Sequence, residues 1–110
     1  MLTRTDYGEV TVITLKGELT VDTVGEFVEQ RDQAVAESRR VLVVDCQAVT
    51  AFDSAGLEAL EETRRTFEQM RGALKLCALD PIGRKILEIT RLNRKFEIYD
   101  DLDSAVRSHV

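Results

Sequence analysis

A serine hydroxyl at the start of a helix is the group in this sequence that is best placed for chemistry. Ser54 lies in the segment Asp53-Ser54-Ala55-Gly56-Leu57, between a short apolar strand and a long amphipathic helix. The first backbone N–H groups of a helix lack intrahelical partners, and they favour an added anion. A phosphate on Ser54 would be tolerated locally, yet it would change the face shown to a partner. The segment therefore predicts a binding module that phosphorylation can switch.

The residues around Ser54 have structural roles of their own. Asp53 can cap the helix by accepting a hydrogen bond from a backbone N–H two or three residues further on. Gly56 costs about 1 kcal/mol relative to alanine inside a helix, so we expect its backbone to be approached closely, by the sheet or by a partner. Leu57 is predicted to anchor the turn to the core. A capped helix with an incidental serine is the alternative that these residues alone leave open.

Catalysis by Ser54 is a second alternative, and the sequence offers little for it. The one histidine, His109, is next to last in the chain, and the Gly-x-Ser-x-Gly elbow is missing. A serine–lysine pair with Lys75 or Lys85 stays open. Neither G-x-G-x-x-G nor a Walker lysine pattern is present. We therefore expect no enzyme, no catalytic residue, no cofactor and no metal.

Composition narrows the class of protein further. The 110 residues fit one domain, 1–110, and the net charge of −5 without a basic stripe argues against binding nucleic acid. No apolar run is long enough to insert into a membrane, and the first residues do not resemble a signal peptide. These features predict a cytoplasmic protein. Cys46 and Cys77 lack metal-binding spacing, so we expect two buried thiols.

Hydrophobic periodicity predicts the element order β-β-α-β-α-β-α-β-α. The strands are expected at 2–6, 10–15, 40–45, 73–78 and 96–99, with 47–52 as a loop. The helices are expected at 22–38, at 54–70, from Pro81 onward and at 101–109. The first two strands should form an antiparallel hairpin, and the continuous apolar run at 40–45 favours parallel pairing. The prediction is an α/β domain with a mostly parallel mixed sheet and helices packed on it.

The sequence also predicts an apolar face on one helix and an acidic face on another. In the helix from Pro81, Ile82, Ile86 and Ile89 should form the apolar side, together with Leu87. On the helix after Ser54, Glu58, Glu61 and Glu62 form an acidic face. They are either solvent-facing charge or a surface for a basic partner groove.

Four segments in order resemble the STAS family, the sulphate transporter and anti-sigma factor antagonist domains. Gly17-Glu18-Leu19 is similar to the family's G-E-L-D, and Asp53–Leu57 is similar to its D-S-[SAT]-G-L. The strand and loop 41–52 and the strand and helix 74–92 complete the resemblance. It covers essentially the whole chain and implies a single STAS-like domain.

In this family, stand-alone domains of this size are anti-sigma factor antagonists. The resemblance implies binding to an anti-sigma factor serine kinase, which phosphorylates Ser54 and thereby dissociates the complex, and a PP2C-type phosphatase that resets the cycle. Thr20 stands where the family often has aspartate, with Asp22 nearby. The partner-binding residues implied are Thr20, Asp22, Asp53, Ser54, Ala55, Gly56, Leu57 and Glu58. The alternative is a constitutive scaffold in a stress-signalling complex or a lipid-transport ABC system.

Overall fold

A computed structural model describes residues 2–109, which form one five-stranded sheet and its helices. The strands are β1 (Leu2–Tyr7), β2 (Val10–Leu19), β3 (Val41–Phe52), β4 (Ala73–Cys77) and β5 (Glu97–Tyr99). The helices are α1 (Val24–Ala36), α2 (Ser54–Gln69), α3 (Pro81–Ile89) and α4 (Leu102–Arg107), with a 3₁₀ turn at Leu92–Arg94. The order of elements along the chain is the predicted one.

The strands lie in the sheet in the order in which they occur in the chain. β1 and β2 pair antiparallel from Leu2↔Leu15 to Tyr7↔Val10, and the other three pairs of neighbouring strands are parallel. The predicted hairpin and the predicted mixed, mostly parallel sheet are both confirmed.

Alternate residues of the central strands serve two hydrophobic layers. Leu42 and Val44 face the larger layer, which includes Phe27 of α1 and Phe67 of α2. The other face of the sheet is covered by α4, whose packing residues are Ala105, Leu102 and Val106. Cys46 and Cys77 are both buried, as predicted, and both are free thiols. Burial raises the pKa of the Cys46 thiol and raises that of Cys77 to about 12.

The predicted loop at 47–52 is wrong, because these residues continue β3 to Phe52. They pair with a matching extension of β2 from Lys16↔Ala48 to Leu19↔Phe52. The register shifts on either side of Lys16 and Gly17, and Gly17 takes φ +88°. The sequence pattern did not predict this extension, because it contains polar residues and a glycine, and a bulge breaks the alternation of apolar and polar residues. Among residues 2–109, β2 and β3 are the only strands that reach this far along the sheet.

The predicted apolar side of α3 is largely wrong. Ile82 and Ile89 are 66% and 71% exposed, and Ile86 is half-buried. The helix instead turns Leu87 and Gly83 toward the core. A Cβ added at Gly83 would be 3.2 Å from the Asp80 carboxylate, 3.3 Å from the Leu79 side chain and 3.5 Å from the Phe52 ring. The helix therefore packs its glycine side, and not its richest apolar stripe, against the rest of the domain.

Candidate functional site

The extended ends of β2 and β3 bring two distant segments of the chain together. Leu19 ends β2 beside Phe52 at the end of β3, so residues 20–22 lie next to the start of α2. The Asp53 amide donates to the Leu19 carbonyl over 3.3 Å. The two segments that the sequence singled out, 20–22 and 53–58, therefore form one surface at the carboxyl end of the sheet.

Asp53 joins these two segments through both oxygens of its carboxylate. Oδ1 accepts from the Gly56 amide at 2.9 Å and thereby caps α2, as predicted. Oδ2 accepts from the Val21 amide at 2.8 Å, a contact that the sequence did not reveal. The Val21 and Gly56 amides hold the pKa of Asp53 below its ordinary value, and so keep the carboxylate charged.

Gly56 allows the start of α2 to touch the backbone of β2. A Cβ at this position would lie 2.9 Å from the Leu19 carbonyl carbon, and closer still to its oxygen. The sequence left open whether the sheet or a partner approaches Gly56, and the structure shows the sheet. Leu57 is half-buried and packs against the larger hydrophobic layer, as predicted.

Ser54 is the first residue of α2 and is exposed. Its hydroxyl forms no hydrogen bond with any residue in the range 2–109. The cap is supplied entirely by Asp53, so the hydroxyl has no role in holding the helix start. Its neighbour Ala55 is half-buried in the same first turn. The site thus presents one free hydroxyl on a turn that is fixed by other groups.

The segment 20–22 adds polar and apolar surface beside Ser54. Thr20 is half-buried, and its amide donates to the Thr23 hydroxyl at 2.9 Å. That hydroxyl in turn donates to the Glu18 carbonyl at 2.7 Å, which fixes the turn before α1. Asp22 is exposed, and so is Val21, whose side chain is 68% accessible. Val21 was missed by sequence reasoning, since one valine in a polar turn carries no periodic signal.

The acidic face of α2 is mostly committed to ion pairs within the molecule. Glu61 lies 3.1 Å from Lys95 and 3.5 Å from Arg65, and these cations lower the pKa of its carboxyl. Glu62 lies 3.5 Å from the buried Arg31 of α1. Glu58 is exposed and forms no ion pair with the described residues. Of the three acidic residues, Glu58 is the one that remains available beside Ser54.

Lys75, one of the two lysines that the sequence left open as a partner of Ser54, bonds elsewhere. The Lys75 ammonium donates to the Ser108 hydroxyl at 2.6 Å, which places it at α4 rather than at Ser54. Within the part of the chain that is described, no group of His, Cys, Asp and Glu side chains is arranged to hold a metal ion. No helix between residues 2 and 109 is long and apolar enough to cross a bilayer.

Comparison with known proteins relates this arrangement to one domain family. The family model described as "STAS domain" matches residues 2–105. An anti-sigma factor antagonist from Mycobacterium paratuberculosis is 27% identical, with a TM-score of 0.89 over 98% of this chain and 92% of that chain. A search of curated protein sequences gave no match.

Two more distant structures share the fold. SpoIIAA of Bacillus in its phosphorylated form is 19% identical, with a TM-score of 0.80 over 100% of both chains. A sulfate transporter family protein from Wolinella succinogenes is 17% identical, with a TM-score of 0.82 over 94% of this chain and 87% of that chain. The sheet order and the helices described above are therefore a fold that antagonists and a transporter family protein have in common.

Proposed function

Since the chain belongs to the STAS domain family, we propose that it is an anti-sigma factor antagonist controlled by phosphorylation of Ser54. In this proposal the unphosphorylated chain binds an anti-sigma factor that is a serine kinase. Phosphate transferred to Ser54 dissociates the complex, and a PP2C-type phosphatase removes it. The observation that carries the proposal is the exposed Ser54 hydroxyl, which is free of hydrogen bonds on a turn built by Asp53 and Gly56. The mycobacterial antagonist, at 27% identity, adds support.

The local structure lets a phosphate be added without unfolding the domain. An anion at a helix N-terminus gains about 0.3–1 kcal/mol from the free N–H groups and the helix dipole. Repulsion from Glu58, four residues along the same helix, costs about 0.2–0.5 kcal/mol. These two effects nearly cancel. The adjacent Asp53 carboxylate adds further repulsion, but both of its oxygens are bound to the Val21 and Gly56 amides, so we expect the cap to hold. The switch therefore acts on the surface and leaves the fold in place.

A partner that fits the neutral hydroxyl would lose affinity on phosphorylation. It would contact an exposed apolar side chain, Val21, next to the fixed carboxylate of Asp53 and the exposed Glu58. Phosphate adds about 1.5–2 negative charges between these carboxylates. Repulsion and desolvation of about 3–4 kcal/mol would weaken binding a few hundredfold or more.

The experiment that tests this proposal maps phosphate by mass spectrometry on the protein isolated from its own cells, during growth and under stress. We expect phosphate on Ser54 in a fraction of the molecules and none in a Ser54→Ala variant. A Ser54 residue that is unmodified in every condition would contradict the proposal, and it would favour the constitutive scaffold.

Binding is tested with the anti-sigma factor kinase encoded beside the gene or captured with Ser54→Ala. Ser54→Ala should bind it persistently, and Ser54→Asp should bind it weakly. Ser104→Asp is the matched control, because Ser104 is also exposed in the first turn of a helix, α4, on the other face of the sheet. Equal affinity of Ser54→Asp and wild type would refute the switch.

A further inference from the structure

A cleft of about 620 Å³ opens at the end of the sheet opposite Ser54. It is bounded by the starts of β3 and β4 and by the loops that follow α1 and α2. β3 runs from Val41 at this cleft to Phe52 beside Asp53, so the whole strand separates the two sites. The cleft is lined by Glu9, Glu37, Ser38, Arg39, Arg40, Val41, Arg71, Gly72, Ala73, Lys75 and His109.

The charges around this cleft are unequally neutralised. Of the two lining carboxylates, Glu37 forms an ion pair with Arg4 at 2.7 Å, and Glu9 lies 3.0 Å from the His109 ring, which is a cation only when it is protonated. Arg39 donates to two neutral acceptors, the Thr11 hydroxyl and the Gly8 carbonyl, each at 2.7 Å. It forms no ion pair among residues 2–109, and its charge acts on the Asp6 and Glu37 carboxylates only through longer-range attraction.

The side chains of the remaining two arginines of the cleft have no partner among the described residues. Arg40 and Arg71 are exposed, and neither guanidinium forms a hydrogen bond or an ion pair within residues 2–109. A cation after a helix gains about 0.3–1 kcal/mol from the helix dipole, which accounts for an arginine at each helix end. It does not account for three guanidinium groups that form no ion pair with the described residues around one cavity of a chain whose net charge is −5.

The backbone holds the two arginine-bearing loops against each other. Gly72 packs so closely on the Arg40 carbonyl that a Cβ would overlap it, and the Ala73 amide donates to that carbonyl at 2.9 Å. Arg71 itself takes a left-handed conformation, φ 61°, which favours glycine. The backbones of the two loops are therefore held together without a ligand, and they fix where the Arg40 and Arg71 side chains begin on the rim of the cleft.

We propose that this cleft binds a small anion that carries a diphosphate group. Guanidinium groups match phosphate oxygens two at a time, and several of them around one cavity suit two linked phosphates better than a single charge. The volume lies within the range of small-ligand sites. Among the residues described, no Phe, Tyr or Trp lines the cleft, and the one aromatic ring, that of His109, is bonded to Glu9, so recognition rests on the phosphates rather than on stacking of a base.

The test is calorimetric titration of the full chain with inorganic pyrophosphate at constant ionic strength. We expect saturable binding that weakens as salt is raised. Arg71→Gly should weaken it about tenfold or more, since it removes one charge-assisted contact. A second titration with ADP separates two sources of the ligand: equal affinity supports the bare diphosphate, and tighter binding supports a diphosphate ester.

Arg91→Gly is the matched control. Arg91 also follows a helix, has φ 62°, and donates its amide to the residue three positions back, as Arg71 does. It carries the same charge, is exposed and does not line the cleft. Unchanged pyrophosphate affinity in Arg91→Gly and weakened affinity in Arg71→Gly would support the site. Absence of saturable binding, or equal weakening by both variants, would overturn it. The outcome is independent of Ser54 phosphorylation.

Discussion

Replacing Gly56 by alanine should separate the start of α2 from β2 and destabilise the domain. The new methyl group would lie 2.9 Å from the Leu19 carbonyl carbon and 3.1 Å from the Leu19 Cγ. A backbone carbonyl cannot rotate away as the end of a flexible side chain can. The helix start must therefore shift, and with it the Asp53 bond to the Val21 amide.

Two opposing effects set the size of the loss. Alanine gains about 1 kcal/mol over glycine in a helix. Overpacking costs typically about 1–3 kcal/mol and more where the neighbour is rigid, as the Leu19 backbone is. With an overpacking cost of about 3 kcal/mol and a helix gain of about 1 kcal/mol, we expect Gly56→Ala to lower the free energy of unfolding by about 2 kcal/mol. For a domain of this size that corresponds to a fall in Tm of about 10 °C.

Thermal and urea unfolding, followed by circular dichroism, measure this loss. The matched control is Gly25→Ala in α1, where nothing lies within 4 Å of the added Cβ and φ is not positive. There the helix propensity acts alone, and the variant should be as stable as wild type or more stable by up to about 1 kcal/mol. If Gly56→Ala proved as stable as Gly25→Ala, the close approach of α2 to β2 would be refuted.

Three further predictions follow from other parts of the structure. Folding lowers the pKa of Asp53, so the Asp53 carboxylate stabilises the folded domain at pH values above its ordinary pKa of about 3.9. This stabilisation is lost as the pH falls through the lowered pKa. The Tm of Asp53→Asn should therefore fall less than the Tm of wild type between about pH 5 and pH 2. Arg31→Ala should lower the free energy of unfolding in urea by about 2–4 kcal/mol, because Arg31 is buried between α1 and α2 and bonds to Thr63. Glu62→Gln, at the exposed end of the ion pair with Arg31, should lower it by less than about 0.5 kcal/mol. Cys46 and Cys77 should not react with a thiol reagent at about pH 8 until the chain is unfolded. Rapid labelling of the native protein would contradict this prediction. A fall in the Tm of Asp53→Asn at acid pH as steep as that of wild type, or equal losses of unfolding free energy in Arg31→Ala and Glu62→Gln, would contradict the other two.

Features that depend on neighbours in the chain were predictable. The Asp53 cap joins residues three apart, as does the Asp80 cap, which accepts from the Gly83 amide at 2.7 Å. The β1–β2 hairpin closes through the short turn at Gly8, which takes φ +60°. Each of these depends on local hydrogen bonds and local φ preferences, so the residue types alone indicate them.

The buried face of α3 could not be predicted from the local sequence pattern. Its richest apolar stripe, Ile82 with Ile89, lies in solvent, while Leu87 packs in the core. Periodicity predicts that a helix is amphipathic, but the side that is buried depends on how closely the backbone can approach the sheet. Here Gly83 allows that approach beside Phe52.

The sequence by itself determined the order of elements, the capped start of α2 and the position of Ser54 in its first turn. Only the tertiary structure decided that Val21 bonds to Asp53 across 32 positions of the chain, and that Gly56 rests on Leu19. It also decided that Arg40 and Arg71 line one cleft. The physical reason is that each of these contacts joins strands or loops that become neighbours only when the parallel sheet forms. The local conformational preferences of one segment contain no information about which other segment it will contact.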